Sequence, residues 1–425
     1  MRVAIIGAGY AGLSAAVELC HAGINVCVFE AASTLGGRAR GVSINNLTLD
    51  NGQHLCVGAY QQLLRQIALV GLDESKVFLR LPLGLSIYPQ YQLRYASLPA
   101  PLHALSGLIC SRGLSLSQRW QLLRALLHIK RRRQRIDKHL SVADWLQQCG
   151  QSAVMIRRLW EPLTLAILNT PLQEASAQYL WHSLADCLLS QTQHSDLLLP
   201  RCDLSTLFPD AARRYIQKHG GEVFTGEPVK QLRQHAQGWQ INQYPTVFDQ
   251  LICAVAPHQI KSLANTHEAL QKLSEELKPW RWQPIYTIYL RYPPHIRLPY
   301  PLLAFNDGTA QWLFDRGQTH HQAGLFAAVI SAEGQHQSIP HCVLADNIAQ
   351  QIAQHFPHFP PVYWQQVIAE KRATFTCAPG LKRPTHHTNQ PNLWLAGDYT
   401  ENRYPATLEA AVASGISAAQ RITKQ

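Results

Sequence analysis

Three glycines near the N-terminus constrain the fold of this chain more than any other feature. Gly7, Gly9 and Gly12 follow the apolar run Arg2–Ile6, and a helix is predicted from Ala11 to residue 21. In such a turn the first glycine permits the tight bend, the second lets backbone amides approach a pyrophosphate, and the third allows close helix packing. The helix N-terminus then faces the phosphates. The pattern predicts a dinucleotide-binding βαβ unit in an α/β fold.

An acidic residue at the end of the second predicted strand narrows the choice of dinucleotide. Glu30 closes the segment that begins at Asn25. A carboxylate at this position accepts hydrogen bonds from both hydroxyls of an adenosine ribose and repels a 2′-phosphate. FAD or NAD therefore fits better than NADP.

The residues after Glu30 favour FAD. Gly36, Gly37 and Arg38 place a second backbone loop and a guanidinium where they clamp a pyrophosphate. This arrangement resembles the flavin amine oxidase and phytoene desaturase superfamily, whose members bind FAD in a Rossmann-like domain. An ordinary turn followed by a surface arginine is the alternative interpretation.

The C-terminus supplies a second half of the same predicted site. A strand beginning at Asn392 runs into Gly397 and Asp398, and a helix is predicted to begin near Thr407 and Leu408. The resemblance implies that Asp398 holds the ribityl chain and that the helix points its amides at the isoalloxazine, where its partial positive charge suits a reduced flavin anion. Without the N-terminal motifs, a strand and helix with a capping aspartate would be the default interpretation. The resemblance assigns three further residues to FAD, namely Gln53, His54 and Val229.

Composition indicates a globular protein with an unusual surface. Hydrophobic residues make up 46% of the 425 residues, and charged residues only 15%, against about 25% in typical globular proteins. The net charge of +11 favours anionic lipid, nucleic acid or a diphosphate as a contact, although we recognise no nucleic-acid-binding motif. The ten cysteines form no CxxC pair, so neither a metal site nor a disulfide framework is indicated, and a reducing cytoplasm is expected.

The sequence predicts peripheral rather than spanning contact with a membrane. It contains no run of 18 apolar residues, the length that a spanning helix needs. Residues 102–129 are rich in leucine with interspersed arginines, and residues 130–135 read Lys-Arg-Arg-Arg-Gln-Arg. Such a basic amphipathic surface binds the anionic inner face of a membrane. A core helix followed by solvated charges is the alternative.

The positions of these motifs predict a discontinuous domain organisation. The two halves of the flavin site lie at opposite ends of the chain. We therefore assign residues 1–75, 200–258 and 365–425 to the FAD-binding domain. Residues 76–199 are predicted to form a helical insertion with the membrane-contact region, and residues 259–364 a substrate-binding sheet domain.

Four other segments resemble one family within the superfamily, the squalene-associated hydroxysqualene dehydroxylases. They are residues 50–54, residues 159–170, residues 372–375 with 379–384, and residues 397–407. Tyr399 departs from the tryptophan expected after Gly-Asp, but an aromatic shelf remains. The resemblance implies that reduced flavin delivers hydride to an allylic carbon of hydroxysqualene, giving squalene for hopanoid or triterpenoid synthesis. Because the sequence has no second GxGxxG motif, an external partner is expected to reduce the flavin.

This chemistry needs an acid, since water is a better leaving group than hydroxide. His54, Glu161 and Glu401 are the candidates, and Arg403 is a candidate for positioning a hydroxyl or a water. Each candidate has an alternative role: His54 in supporting the flavin ring, Glu161 in capping a helix, and Glu401 as a solvated loop charge. Asp50 is interpreted as a carboxylate that orients a loop.

Three other functions stay open at this point. A carotenoid-type desaturase or isomerase uses the same fold and a long apolar cavity but moves hydride from substrate to oxidised flavin. An amine oxidase, a weaker alternative, would have an aromatic cage beside the flavin and would produce peroxide. A non-enzymatic escort of a squalene synthase-like enzyme would bind FAD without turnover.

Overall fold

The computed structural model describes residues 1–88, 91–96, 98–131, 136–236, 238–265 and 267–424. Of the predicted basic run, Arg132, Arg133 and Arg135 lie outside the described residues. Within the described ranges, no helix is long and apolar enough to cross a membrane.

The N-terminal unit folds as predicted, with strand Arg2–Ile6, helix Tyr10–His21 and strand Asn25–Glu30. The two strands pair in parallel and are buried almost throughout, as continuous apolar runs are in parallel sheets. They belong to a parallel sheet whose strands, in spatial order, are Glu222–Thr225, Asn25–Glu30, Arg2–Ile6, Gln250–Cys253 and Leu393–Leu395. Three distant parts of the chain thus build one Rossmann-like sheet.

Helix Tyr10–His21 packs directly against the C-terminal helix Leu408–Thr423. A Cβ atom at Gly415 would lie 2.1 Å from the Ala11 carbonyl oxygen, so the two backbones touch. This contact joins the chain ends and brings the two predicted halves of the flavin site together.

A second large sheet has seven strands and is mostly antiparallel. Its strands, in spatial order, are Trp364–Phe375, Trp282–Arg291, Leu325–Ser331, Trp312–Asp315, Leu302–Phe305, Gly84–Tyr88 and Tyr91–Arg94. Side chains alternate across it: Leu313 faces a core that includes helix His341–His355, while Trp312 and Phe314 face a cavity. The sheet draws two strands from the region predicted to be a helical insertion and one from the region assigned to the FAD domain.

Small sheets and helices complete the described chain. The small sheets pair Gly41–Ile44 with Leu47–Asp50, Cys56–Val57 and Phe78–Leu81 with Leu197–Pro200, and Gly238–Ile241 with Leu232–His235 and Val247–Phe248. The predicted insertion contains helices Leu102–Cys110, Leu116–Arg131, Val142–Gln148, Ala153–Met155, Glu161–Leu168 and Ala177–Leu189, with a π-helical turn at Ile156–Trp160. The other helices are Gln61–Leu69, Glu74–Val77, Leu204–Leu207, Pro209–Lys218, Pro257–Ala264, Glu268–Leu277 and Arg316–Thr319, with 3-10 turns at Thr192–Ser195 and Gln335–Ser338.

Candidate active site

A cavity of about 610 Å³ lies where the two large sheets meet the helices of residues 102–189, which we call the helical region. It gathers most of the residues predicted to bind FAD. Those lining it are Gly7, Gly9, Ala11, Glu30, Gly37, Arg38, Gln53, His54, Gly397, Asp398, Thr407 and Leu408. Of the two others, Gly12 lies against the Gly7 backbone, and Val229 is half-buried against the main core rather than along the described cavity wall.

The glycines of the N-terminal motif serve different needs. A Cβ atom at Gly12 would lie 2.0 Å from the Gly7 carbonyl oxygen, so the protein's own packing requires glycine there. A Cβ atom at Gly9 would meet nothing within 4 Å, and the Gly9 backbone is extended, with φ −75° and ψ 179°. Neither packing nor backbone geometry requires glycine at this cavity-lining position. The empty space above Gly9 fits a group that approaches the backbone closely, as a pyrophosphate does.

Charged groups from both ends of the chain meet at this wall. The Arg38 guanidinium donates to the Asp398 carboxylate over 2.6 Å and to the Ala373 carbonyl over 2.7 Å. At the other end of the motif, the Glu30 carboxylate accepts hydrogen bonds from the backbone N–H groups of Ala8 and Ala32. Both arrangements hold a charged side chain in place at the cavity without a ligand.

Tyr399, the departure from the family pattern, lies fully buried beside this site. A Cβ atom at Gly397 would lie 2.3 Å from its ring, so glycine at position 397 makes room for the aromatic shelf. The Tyr399 hydroxyl is buried, and among the described residues it has no hydrogen-bond partner. An unpaired buried hydroxyl at a cavity wall fits a site that receives a polar group from a ligand.

A buried ion pair fixes the loop that carries Gln53 and His54. Arg316 donates to the Asp50 carboxylate over 2.7 Å and to the Gln53 side chain over 2.9 Å. Both Arg316 and Asp50 are about 1% exposed. Burial raises the pKa of Asp50, and the neighbouring guanidinium opposes that rise. The contact fits the interpretation of Asp50 as a loop-orienting carboxylate; nothing in the sequence pointed to Arg316 as its partner.

His54 lines the cavity, and its ring nitrogen Nδ1 lies 2.8 Å from the Gly52 carbonyl oxygen. Burial lowers the pKa of His54, which favours the neutral ring. Because a carbonyl only accepts, Nδ1 carries the proton and Nε2 is left as an acceptor. A general-acid role would require protonation of Nε2 against this preference.

The other predicted catalytic residues do not line the described cavity. Glu161 is exposed where the helix Glu161–Leu168 begins. Glu401 is exposed as well, and its backbone N–H donates to the Pro384 carbonyl. Arg403 is half exposed and forms an ion pair with Asp186, which does line the cavity.

Sequence reasoning missed that aspartate and the tyrosine beside it. Asp186 lies on helix Ala177–Leu189, and its carboxylate accepts a hydrogen bond from the Tyr404 hydroxyl over 2.7 Å. Tyr404 also lines the cavity. One signal was available, because Ser183, Asp186 and Cys187 follow a spacing of three and four that places them on one face of a largely apolar helix.

Glu409 is another buried carboxylate that sequence reasoning missed. It lies in the first turn of helix Leu408–Thr423 and accepts the backbone N–H groups of Gln62 and Leu63, each over 2.9 Å. Burial raises the pKa of Glu409 to about 7. This side chain caps helix Gln61–Leu69 and joins it to the helix whose N-terminus faces the cavity.

Much of the remaining cavity wall is apolar. Leu85 and Leu93 come from one edge of the antiparallel sheet, Trp312 and Phe314 from its middle, and Leu163 from the helical region. Apolar walls with a few placed polar groups are typical of sites for hydrophobic ligands. The cavity therefore joins a polar, glycine-lined end to an apolar end.

The fold and this cavity are those of a flavin-dependent oxidoreductase. The family model described as flavin containing amine oxidoreductase matches residues 10–423. The chain belongs to that family, which confirms the predicted FAD cofactor and the predicted enzyme class.

Relatives refine this class. The chain is 29% identical to a hydroxysqualene dehydroxylase from Sinorhizobium fredii, covering 98% of this chain and 97% of the relative. It is 26% identical to one from Zymomonas mobilis, with the same two coverages. It is also 23% identical to an Arabidopsis thaliana zeta-carotene desaturase, covering 99% of this chain and 85% of the relative.

A solved structure confirms the predicted fold class. An oxidoreductase from Methanosarcina mazei superposes with a TM-score of 0.76 and 15% identity, and the match covers 100% of both chains. The resemblance to the squalene-associated family seen in the sequence is confirmed by the two named dehydroxylases.

Proposed function

We propose that the protein is a hydroxysqualene dehydroxylase that acts within hopanoid or triterpenoid precursor synthesis. The observation that carries this proposal is that one cavity contains both a flavin end and an apolar end. The flavin-binding motifs line one end, while leucines and aromatic residues of the sheet and helical region line the other. The apolar end suits a long isoprenoid chain, and its contact with the flavin end suits chemistry at one carbon of that chain.

Bound reduced FAD supplies the two electrons of the reaction as a hydride. The carbon gains hydrogen, and the hydroxyl takes up a proton and leaves as water. Residues of the chain hold the cofactor, exclude water and orient the C–O bond. An external partner reduces the flavin, since the sequence carries a single nucleotide-binding glycine motif.

The residue roles implied by the family resemblance are part of this proposal. The cofactor residues that line the cavity hold FAD, with Arg38 and Asp398 linking the two ends of the chain. His54 is retained as a group that supports the flavin face. Among the acid candidates, the exposed Glu161 and Glu401 would have to reach the substrate through movement of their segments.

We also propose peripheral contact with the cytoplasmic face of a membrane, where such a substrate would reside. Helices Leu102–Cys110 and Leu116–Arg131 carry strongly exposed apolar side chains, with Ile109 at 81%, Leu116 at 82% and Trp120 at 64% exposure. Residues 98–135 contain eight lysines and arginines and no acidic residue. This combination matches an anionic bilayer surface.

The test is a single-turnover reaction. Anaerobically reduced protein is mixed with hydroxysqualene, and the lipid product is identified by mass spectrometry. We expect squalene, and with flavin deuterated at N5 we expect one deuterium at the carbon that lost oxygen, after correction for N5 exchange with solvent. Recovery of unchanged hydroxysqualene with fully reduced, bound flavin would contradict the proposal.

The alternatives appear as different outcomes of parallel reactions. Desaturation of a polyene by the oxidised protein would identify a carotenoid-type enzyme, in line with the desaturase relative. Peroxide formation with an amine would identify an amine oxidase. Bound FAD that no lipid reoxidises would identify a non-enzymatic escort.

A further inference from the structure

One of the carboxylates that line the cavity, that of Asp186, comes from the helical region. Among the described residues, the carboxylates lining the cavity are Glu30, Asp186, Glu370 and Asp398. Glu30 is held by backbone amides, Asp398 by Arg38, and Glu370 by the Asn51 side-chain amide over 3.0 Å. Asp186 comes from helix Ala177–Leu189 of the helical region.

We propose that Tyr404, held by Asp186, binds the hydroxyl group of the isoprenoid alcohol. This inference rests on the proposed function and names the group that recognises its substrate. Tyr404 and Asp186 both line the cavity, and Tyr404 lies three residues before Thr407, which caps the helix predicted to face the flavin. This position places the Tyr404 hydroxyl close to the flavin end of the cavity.

The hydrogen bonds around Asp186 leave the hydroxyl oxygen of Tyr404 available to accept a hydrogen bond from a ligand. Its Oδ1 atom is engaged by the Arg403 guanidinium, and its Oδ2 atom accepts the Tyr404 hydroxyl proton over 2.7 Å. The guanidinium also lies over the Tyr404 ring, 5.4 Å from its centroid. With its own proton directed at Asp186, Tyr404 offers the oxygen lone pairs of its hydroxyl. The substrate O–H donates to that oxygen, which leaves the substrate oxygen free to accept a proton from another group.

Such a contact distinguishes the substrate from its product. Hydroxysqualene and squalene fill the same apolar walls, and the hydroxyl is the polar group that sets them apart. A site built to hydrogen-bond a hydroxyl discriminates against the analogue that lacks it. Tyr404 then favours release of the hydrocarbon product, and it fixes which carbon faces the cofactor.

Binding to the oxidised holoprotein tests this inference without turnover. Hydroxysqualene and squalene, each in detergent, are titrated while the flavin absorption spectrum is followed. We expect the wild-type protein to prefer hydroxysqualene about tenfold, the worth of one buried hydrogen bond. Tyr404→Phe should bring the affinity for hydroxysqualene down to that for squalene and leave squalene binding unchanged. Tyr179→Phe is the matched control, because it removes a tyrosyl hydroxyl from the same helix as Asp186 but not from the described cavity wall.

A second variant covers the case in which Tyr404→Phe loses FAD or folds poorly. In Asp186→Asn, Arg403 can only donate and so holds the amide oxygen, which leaves the amide N–H donating to the Tyr404 hydroxyl oxygen. This occupies the lone pair that the substrate hydroxyl would use, so the variant should reduce the preference for hydroxysqualene and raise KM more than it lowers kcat. Unchanged preference in a folded, flavin-loaded Tyr404→Phe protein would overturn the inference, as would unchanged preference in Asp186→Asn if only that variant folds. Failure of the wild-type protein to form squalene would instead overturn the proposed function, so the two failures are distinguishable.

Discussion

The flavin end of the cavity is shaped by backbone, whereas the apolar end is shaped by side chains that distant elements bring together. At the flavin end, the turn at Gly7, the contact between Gly12 and Gly7, and the open space at Gly9 come from six consecutive residues. At the apolar end, Leu85, Leu163 and Phe314 lie on two strands and a helix that are far apart in sequence.

This difference has a physical basis. A backbone that must approach a pyrophosphate tolerates few residue types, so its requirements appear in a short local pattern. An apolar wall needs only volume and hydrophobicity, which many side chains supply. Adding a single atom at the flavin end should therefore have a large effect on stability or FAD binding. At the apolar end, substitutions should have a large effect mainly when they change a polar or charged group.

The largest expected effects come from replacing two glycines of the N-terminal motif, one of which should affect stability and the other FAD binding. Gly12→Ala places a Cβ atom 2.0 Å from the Gly7 carbonyl oxygen. We expect a loss of about 4 kcal/mol in the free energy of unfolding, since severe overpacking outweighs the helix propensity gained. The Cβ atom of Gly9→Val would meet nothing within 4 Å, so this variant should keep the fold of the FAD-free protein and abolish FAD binding. Denaturant unfolding and flavin titration of both variants would measure this, and equal stability losses would contradict it.

The same contrast explains how much the sequence could predict. The βαβ unit and the meeting of the two chain ends at one flavin site were predictable, because each half of that site carries a local motif with a narrow requirement. The ion pair between Asp50 and Arg316 joins residues 266 positions apart, and no local pattern encodes such a partner. Strands Gly84–Tyr88 and Tyr91–Arg94 were assigned to a helical insertion because the hairpin that they form joins the sheet through Leu302–Phe305, which lies in another part of the chain. Asp186 and Tyr404 meet only after folding.

The second largest effect should come from that ion pair, which supports the loop between the two ends of the cavity. Arg316→Met leaves the Asp50 carboxylate buried without its cation, and we expect a loss of about 3–5 kcal/mol in the free energy of unfolding. Adding Asp50→Asn removes the unpaired charge and should recover part of the loss. Urea unfolding of the single and double variants would measure both. A double variant less stable than Arg316→Met would contradict this account.

Glu409 predicts a smaller effect that depends on pH. Burial raises its pKa from an ordinary value of 4.5 to about 7 in the folded protein. Between these two pH values the folded state binds more protons than the unfolded state, so the stability contribution of this group falls as pH rises. The fall should reach about 3 kcal/mol above pH 7.

The matched variant isolates this contribution from that of other titrating groups. Glu409→Gln does not ionise, and its single side-chain oxygen accepts one of the two backbone N–H groups, of Gln62 and Leu63, that bond the two carboxylate oxygens of Glu409. The stability difference between Glu409→Gln and the wild-type protein should therefore move in favour of the variant as pH rises from 4.5 to 8. Urea unfolding across that range would measure it, and a difference independent of pH would show that the Glu409 pKa is not raised.

The smallest expected effect concerns the exposed apolar residues of helices Leu102–Cys110 and Leu116–Arg131 near the apolar end of the cavity. It tests whether this end opens toward lipid. Tyr95 lines the cavity, and its ring packs against Gly107 of helix Leu102–Cys110. Replacing Ile109, Leu116 and Trp120 together by serine should leave the fold intact, because these side chains are mostly exposed.

Binding to anionic vesicles should weaken in this triple variant and should also fall as salt screens the basic residues, each of which contributes about 1 kcal/mol near such a surface. Replacement of Val343 and Tyr363 by serine is the control, since both are exposed apolar residues outside the two helices. Vesicle flotation at low and high salt would compare the three proteins. If the triple variant floats as well as the wild-type protein does, the exposed apolar residues are solvated surface, and the substrate reaches the cavity by another path.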